Sequence, residues 1–205
     1  RFFRLRYAFE LDVRDQIPYA LDGYFLQLAA IKEGLGFFDE RDASWLRMDA
    51  AYYHPLSPRW SLAADVSARV QLQRTRPSFY HYRALGYGQD YIRGYEYYVM
   101  DGMDFLLLKS GLRFQLFNDA LHLGKLMPYE DFRKMPLRAY LSLNLDGGIA
   151  NDPFYAAGNP LSNQWLWGGG IGLDLVFYYN RLIQIEYSIN ELGEKAVFLH
   201  YQLDL

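Results

Sequence analysis

The feature that most constrains this chain is a two-residue alternation of apolar and polar side chains that persists over long segments. Near the N-terminus one set of positions is apolar and the intervening set is mostly charged. The apolar set is Phe3, Leu5, Tyr7, Phe9, Leu11 and Val13, and the polar set includes Arg4, Arg6, Glu10, Asp12 and Arg14. Successive side chains of a β-strand point to opposite faces, so the pattern predicts a strand with one apolar and one charged face.

The same alternation recurs along the chain and predicts about nine strands in all. The other predicted strands are residues 24–31, 45–53, 60–72, 104–117, 137–146, 168–177, 183–190 and 197–205. Most approach the ~9–11 residues of a tilted membrane strand, whereas strands of soluble domains have about 5–6 residues. A soluble antiparallel sandwich is the alternative, because it also alternates apolar and polar residues.

The polar face of these strands carries charged residues in mid-strand, such as Asp65, Arg69 and Glu186. Charges at this position fit a water-filled lumen behind a lipid-facing wall, and a closed barrel leaves no unpaired strand edge in hydrocarbon. We therefore predict an all-β fold, a transmembrane antiparallel β-barrel. The opposite parity assigns these residues to the lipid-facing wall: Leu141, Leu143, Ile183, Ile185, Leu199 and Leu203.

The composition fits this class and excludes several others. The chain has 19 Tyr and 14 Phe, which aromatic girdles at two membrane interfaces would explain. It has no Cys, which excludes disulfides and thiolate metal sites. Its net charge of -3 argues against a nucleic-acid partner. The four histidines, His54, His81, His122 and His200, show no metal-ligand spacing, so we predict neither a metal nor a cofactor.

The predicted connections alternate between short and long, as they do between the periplasmic and external sides of bacterial barrels. Residues 118–136 break this rule, because the link is long but falls on the short-turn side. It interleaves charged residues with apolar ones, including Leu121, Leu126, Tyr129 and Phe132. We predict a folded periplasmic flap that offers a docking surface to a periplasmic domain or accessory subunit. The alternative is a loop that only covers the lower rim.

Several motifs resemble those of one family, in the family's order. Tyr91-Ile92-Arg93-Gly94-Tyr95 resembles the (V/I/L)-R-G-(F/Y) motif of the BamA/TamA-like outer-membrane assembly and translocation barrels, the bacterial surface antigen family. A short motif is a weak signal, but the ordered set is specific and covers nearly the whole chain. The other matches are Asp12-x-Arg14-Asp15-x-x-Pro18, Leu145-Asp146-Gly147-Gly148, Gly168 to Asp174, and Asn190-x-x-Gly193-Glu194-x-x-x-Phe198-Leu199-His200.

The resemblance implies a barrel of roughly sixteen strands. Residues 1–205 would then be the C-terminal part of one barrel domain, preceded by further strands and by periplasmic POTRA domains. The motif loop, with Ile92, Arg93, Gly94 and Tyr95, would fold into the lumen. There Arg93 would contact an acidic side chain of the inner wall, and Asp146 is the predicted partner. The planar guanidinium suits such a carboxylate, although a solvated loop cation is the alternative.

The resemblance also implies a function in assembling or inserting proteins in the bacterial outer membrane. Relatives open the seam between first and last strands so that an incoming strand pairs with it. The seam strand here would contain Ala196, Phe198, His200, Gln202 and Leu205. The expected partners are outer-membrane lipids, client β-barrel proteins and accessory subunits. Many relatives end in an aromatic residue, whereas this chain ends Leu203-Asp204-Leu205.

Two other functions remain open at the level of sequence. A passive porin or receptor barrel predicts an open lumen with no inserted motif loop. A barrel phospholipase would need a nucleophile and a base, for which Ser188 and His200 on adjacent strands are the only candidates. No G-x-S-x-G motif occurs. We therefore predict no enzymatic role and no catalytic residues.

Overall fold

A computed structural model describes residues 3–35, 42–76, 78–122, 134–177 and 181–202. Almost all regular structure in these residues is β-strand. In chain order the strands are β1 (Arg4–Asp12), β2 (Gly23–Glu33), β3 (Ala43–Ser57), β4 (Trp60–Gln71), β5 (Arg83–Leu85), β6 (Met100–Asp101), β7 (Asp104–His122), β8 (Lys134–Asn151), β9 (Leu166–Phe177), β10 (Arg181–Asn190) and β11 (Lys195–Gln202).

Nine of these strands form one antiparallel sheet in the order β1-β2-β3-β4-β7-β8-β9-β10-β11. Each pairs with its sequence neighbours in the sheet, as expected for hairpins joined in succession. The nine strands coincide with the nine predicted segments, so the all-β antiparallel prediction is confirmed. β5 and β6, which pair only with each other, were not predicted.

The predicted bounds of the long link, residues 118–136, are wrong at both ends. β7 continues to His122 and β8 begins at Lys134, and the two pair from Asn118↔Arg138 to His122↔Lys134. The register shifts between Gln115 and Phe117, and such a bulge displaces the alternation by one residue. The two-residue pattern is therefore interrupted at a point where the ladder continues. Leu121 lies in β7, while Leu126, Tyr129 and Phe132 lie outside the described residues.

The two faces of the sheet have opposite character, and the apolar face is the exposed one. In β8, Leu143 is 58% exposed and Leu145 is 59% exposed, whereas the intervening Asn144 is 6% exposed. Leu141, Ile185 and Leu199 are exposed as well, and Ile183 is partly buried. Leu203 lies outside the described residues. The buried polar residues of the nine sheet strands, among those described, are Glu33, Ser61, Gln71, Ser142, Asn144, Asp146, Asp174, Glu186, Ser188 and Asn190.

The long connection between β4 and β7 packs against the polar face of the sheet. Its buried side chains join those of β7, β8 and β9 in the largest apolar cluster of the described residues. The cluster contains Ala84, Leu85, Ile92, Tyr95, Met100, Phe105, Leu107, Ala150, Leu161 and Leu166. Residues 86–99, between β5 and β6, contain the predicted motif and are called the arginine loop below.

The connection between β1 and β2 crosses the polar face to distant strands. Tyr19 is buried against Tyr140, Val176 and Leu182, and its hydroxyl donates to Asp174 at 2.7 Å. The sheet therefore curves enough for residues that follow β1 to reach β8, β9 and β10. Among the described residues, β1 and β11 are its two edges. No helix in this part of the chain is long and apolar enough to cross a membrane.

Candidate functional site

The arginine loop is anchored by two fully buried apolar side chains on either side of Arg93. Ile92 and Tyr95 have no exposed surface, and the Tyr95 amide donates to the Ile92 carbonyl at 3.0 Å. Gly94 sits in this turn with φ of +81°, in the left-handed region that favours glycine. The Arg-Gly pair thus forms a tight turn that directs the Arg93 side chain towards the sheet.

Arg93 contacts two carboxylates that lie on different strands. Its Nη1 is 2.5 Å from Asp146 Oδ1 on β8, and its Nε donates to Glu186 Oε2 on β10 at 2.9 Å. The Arg93 backbone amide also donates to Asp146 Oδ2 at 3.2 Å. The contact predicted between Arg93 and Asp146 is therefore present. By contacting both carboxylates, Arg93 bridges β8 and β10, which are not neighbours in the sheet.

Glu186 is a partner that the sequence analysis missed. The sequence signal for Glu186 was its place among the alternating polar positions of a predicted strand, which puts it on the polar face. That alternation does not show which other side chains Glu186 contacts. Glu186 is also bonded by Asn144 Nδ2 at 2.9 Å and by Ser188 Oγ at 2.8 Å. Burial alone would lower the pKa of Arg93, but the charges of Asp146 and Glu186 raise it above its ordinary value. The guanidinium is thus held charged among buried acceptors.

Glycines let the loop backbone approach the sheet closely. A Cβ added to Gly168 of β9 would lie 1.9 Å from the Arg93 carbonyl oxygen, and one added to Gly94 would lie 3.0 Å from the Ile189 carbonyl carbon. Asn190 Nδ2 donates to the Gly94 carbonyl at 2.9 Å. The loop therefore sits against β9 and β10 at a separation that a side chain would prevent.

The arginine loop also contacts β11, the last described strand. The Tyr91 ring stacks on His200 with centroids 5.4 Å apart, and the Tyr97 ring lies 5.2 Å from Phe198. Glu96 Oε1 is 4.0 Å from His200 Nε2, and neither atom has a hydrogen-bond partner among the described residues. Burial raises the pKa of Glu96 to about 7. These contacts link the loop to the strand that the sequence analysis assigned to the seam.

The predicted seam residues occupy β11 as far as it is described. Ala196, Phe198, His200 and Gln202 pair with Ser188, Glu186, Gln184 and Leu182 of β10, respectively. Leu205 lies outside the described residues. No strand among those described pairs with the other side of β11. Its free backbone donors and acceptors are what a further strand would need.

Lys109 is a second cation at the site, and it was not predicted. It lies opposite Asp146 in the β7–β8 ladder, and its Nζ is 4.0 Å from the centroid of the Tyr91 ring. The same Nζ donates to the Gln89 carbonyl at 3.2 Å. Lys109 therefore contacts the arginine loop at Gln89 and at Tyr91.

The residues of the enzymatic alternative are not brought together. His200 pairs with Gln184 and Ser188 with Ala196, so the two are offset by four residues, roughly 13 Å along the strands. The Ser188 hydroxyl donates instead to Glu186. Nor do the described residues contain three or more His, Asp or Glu side chains placed to hold a metal ion.

Comparison with known proteins gives no assignment. No protein-family model matches the chain, and no curated protein matches it in sequence.

Proposed function

We propose that this chain is the C-terminal part of a β-barrel of the bacterial outer membrane. The inverted faces of the sheet support this. Leu141, Leu143 and Leu145 are exposed while Asn144 and Asp146 are buried, the reverse of what water around a soluble sheet favours. A lipid-facing wall around a polar interior accounts for both faces. The curvature that brings Tyr19 to Asp174 suits a sheet that closes with further strands.

Within that class, the proposed function is assembly or insertion of outer-membrane proteins, as in BamA/TamA-like barrels. The single observation that carries it is the docked arginine loop. Arg93 joins Asp146 and Glu186, and the rings of Tyr91 and Tyr97 of the same loop contact His200 and Phe198 of β11. A loop fixed between the wall and the last described strand is placed to hold that strand while its free edge receives a client strand.

The alternative of a passive porin is less well supported by the same observation. An open pore needs an unobstructed polar face. Here residues 84–100 pack over that face and bury Ile92, Tyr95 and Met100 against it. Such burial would narrow a diffusion path. The edge of β11 has no role in the porin alternative, so crosslinking and conductance separate the two functions.

The test uses single cysteines, which residues 1–205 lack. We would place Cys at Val197 or Leu199 on β11 of the full-length protein in cells, together with a stalled client barrel carrying Cys in its last strand. Paired strands approach closely enough for disulfide formation. We expect crosslinks at both β11 positions. Cysteine at Leu46, an exposed residue of the interior strand β3, is the matched control and should not crosslink.

Two results would contradict the proposal. One is equal crosslinking at Leu46 and on β11, which would make the contacts nonspecific. The other is an absence of crosslinks together with a large, steady conductance of the purified protein in planar bilayers. That second result would establish the porin function.

A further inference from the structure

A cavity on the polar face, away from the arginine loop's contact with Asp146, is lined by arginines. It has a volume of about 460 Å³, within the roughly 300–1,000 Å³ typical of small-molecule sites. The cavity lies where β1 and β3 begin and β2 and β4 end. Its cationic residues are Arg4, Arg6, Arg47, Arg69 and Arg83.

The strand register explains how these arginines converge. Arg6 lies opposite Ile31, Ile31 opposite Trp45, and Trp45 opposite Gln71, so one row of side chains crosses four strands on the same face. In a neighbouring row Arg47 lies directly opposite Arg69. Like charges in such a cross-strand pair repel, so the sheet holds an arrangement that is unfavourable by itself.

Nearby acids neutralise only part of this charge. Arg47 is bound by Asp49 at 2.7 Å and by Asp90 at 2.7 Å, and Arg4 is paired with Glu33. Within the described parts of the chain, Arg6, Arg69 and Arg83 have no ion-pair partner. The cavity therefore contains three guanidinium groups that form no ion pair with a carboxylate of the described residues.

Arg69 is the most constrained of the three. Its Nη2 donates to the carbonyls of Gly102 and Met103 at 2.9 and 3.3 Å, and its guanidinium lies 5.4 Å from the Phe105 ring centroid. Its Nε is buried and has no hydrogen-bond partner among the described residues. A buried donor of a charged group is unfavourable without an acceptor, so an anionic oxygen would complete this environment.

The other walls of the cavity favour a ligand with a neutral part. Trp45 and Tyr80 line it, and the centroids of their rings lie 5.6 and 5.5 Å from that of the His81 ring. Gln71 adds an amide that can donate and accept hydrogen bonds. Aromatic rings beside an amide suit a ring of carbon and hydroxyl groups, while the arginines suit phosphate.

We propose that this cavity binds a phosphorylated sugar, either free or linked to a lipid. Arg6, Arg69 and Arg83 contact the phosphate, and Trp45 and Tyr80 pack against the sugar ring. Confining cations in a cleft raises the local potential for an anion. The site is independent of the proposed assembly function, because none of these residues contacts Asp146, Glu186 or β11.

The first experiment titrates the full-length protein in detergent with glucose 6-phosphate and follows heat and tryptophan fluorescence, since Trp45 lines the cavity. Glucose and inorganic phosphate are the matched soluble probes. Nanodiscs carrying the same sugar phosphate on a lipid form the last arm. We expect saturable binding of the sugar phosphate in the soluble arm, the lipid arm or both, which identifies the source. Both glucose and inorganic phosphate should bind at least tenfold more weakly.

The second experiment changes the arginines. Arg69→Gln and Arg6→Gln should each weaken binding about tenfold or more, the scale of one charge-assisted contact. Arg59→Gln, at an exposed turn, is the control and should leave binding unchanged. The proposal is overturned if no arm shows saturable binding, if glucose or phosphate alone binds as tightly, or if neither cavity variant differs from the control. The wild-type titrations decide the matter even if one variant fails to fold.

Discussion

Arg93 is the residue on which the docked loop depends most, because two buried carboxylates share its charge. Replacing it with Ala would leave Asp146 and Glu186 without the cation that joins them, and breaking a buried pair in this way costs about 3–5 kcal/mol. Asp146→Asn should cost less, since Glu186 and an amide oxygen remain for the guanidinium. We expect the arginine loop to be more sensitive to protease in Arg93→Ala than in Asp146→Asn.

The measurement is limited proteolysis of the folded protein, with cleavage between residues 86 and 99 identified by mass spectrometry. Arg59→Ala, at an exposed turn, is the control for loss of an arginine. Equal protection of the loop in wild type and Arg93→Ala would show that the ion cluster does not hold it.

Adding a methyl group at Gly168 provides a sharper test of the close approach between the arginine loop and β9. In Gly168→Ala the new Cβ would lie 1.9 Å from the Arg93 carbonyl oxygen, so the loop or β9 has to shift. We expect faster hydrogen exchange throughout residues 91–95. Gly158→Ala is the matched control, because a Cβ there has nothing within 4 Å. Exchange rates that stay the same in Gly168→Ala would mean that the loop does not dock at this distance.

At the scale of elements, docking of the arginine loop against β11 should depend on pH through Glu96. Burial raises the pKa of Glu96 to about 7 from an ordinary value of 4.5. Below 4.5 the carboxyl is protonated whether the loop is docked or free. As pH rises from 4.5 to 7 the free loop loses the proton first, so docking weakens across this window and the loss is complete above it.

The expected result is slower hydrogen exchange in the loop at pH 5 than at pH 7.5, after correction for the intrinsic pH dependence of exchange. Glu96→Gln should abolish most of this difference. His200, 4.0 Å from Glu96, is retained in the variant, so any remaining difference comes from His200 or other groups. A wild type that is as protected at pH 7.5 as at pH 5 would contradict the prediction.

The β7–β8 hairpin leads to the predicted flap, which remains a prediction for residues 123–133. Since the ladder is paired as far as His122↔Lys134, joining these residues by an Asn-Gly turn should preserve the strands. We expect the shortened protein to fold but to lose co-purification with a periplasmic domain or accessory subunit. Unchanged co-purification and unchanged client insertion would contradict the docking role and support the alternative, a loop that only covers the lower rim.

At the scale of the whole molecule, the exposed apolar face should contact lipid. Leu143→Arg should cost roughly 2–4 kcal/mol of folding free energy in bilayers, the cost of Arg near mid-depth in a barrel wall. Leu56→Arg is the control, because Leu56 is similarly exposed but lies beside the β3–β4 turn, where the cost is about 0–1 kcal/mol. Urea unfolding in lipid vesicles measures both. Equal costs at the two positions would argue against a membrane-spanning wall.

The sequence alone determined where the nine strands run and which face of each is apolar, because alternation is a property of neighbouring residues. It also identified Arg93 and Asp146 through motifs. Its one large error, the link of residues 118–136, arose because a bulge near Phe117 shifts the period while the backbone ladder continues.

The tertiary structure decided which distant residues meet. Arg93 and Glu186 are 93 positions apart, and Tyr19 and Asp174 are 155 apart, so no local pattern pairs them. The arginine cavity likewise depends on the register of four strands, which aligns Arg6, Arg47 and Arg69 only after pairing. Parity shows the face on which a side chain lies, but the curvature of the sheet and the path of the long connection determine what it contacts there.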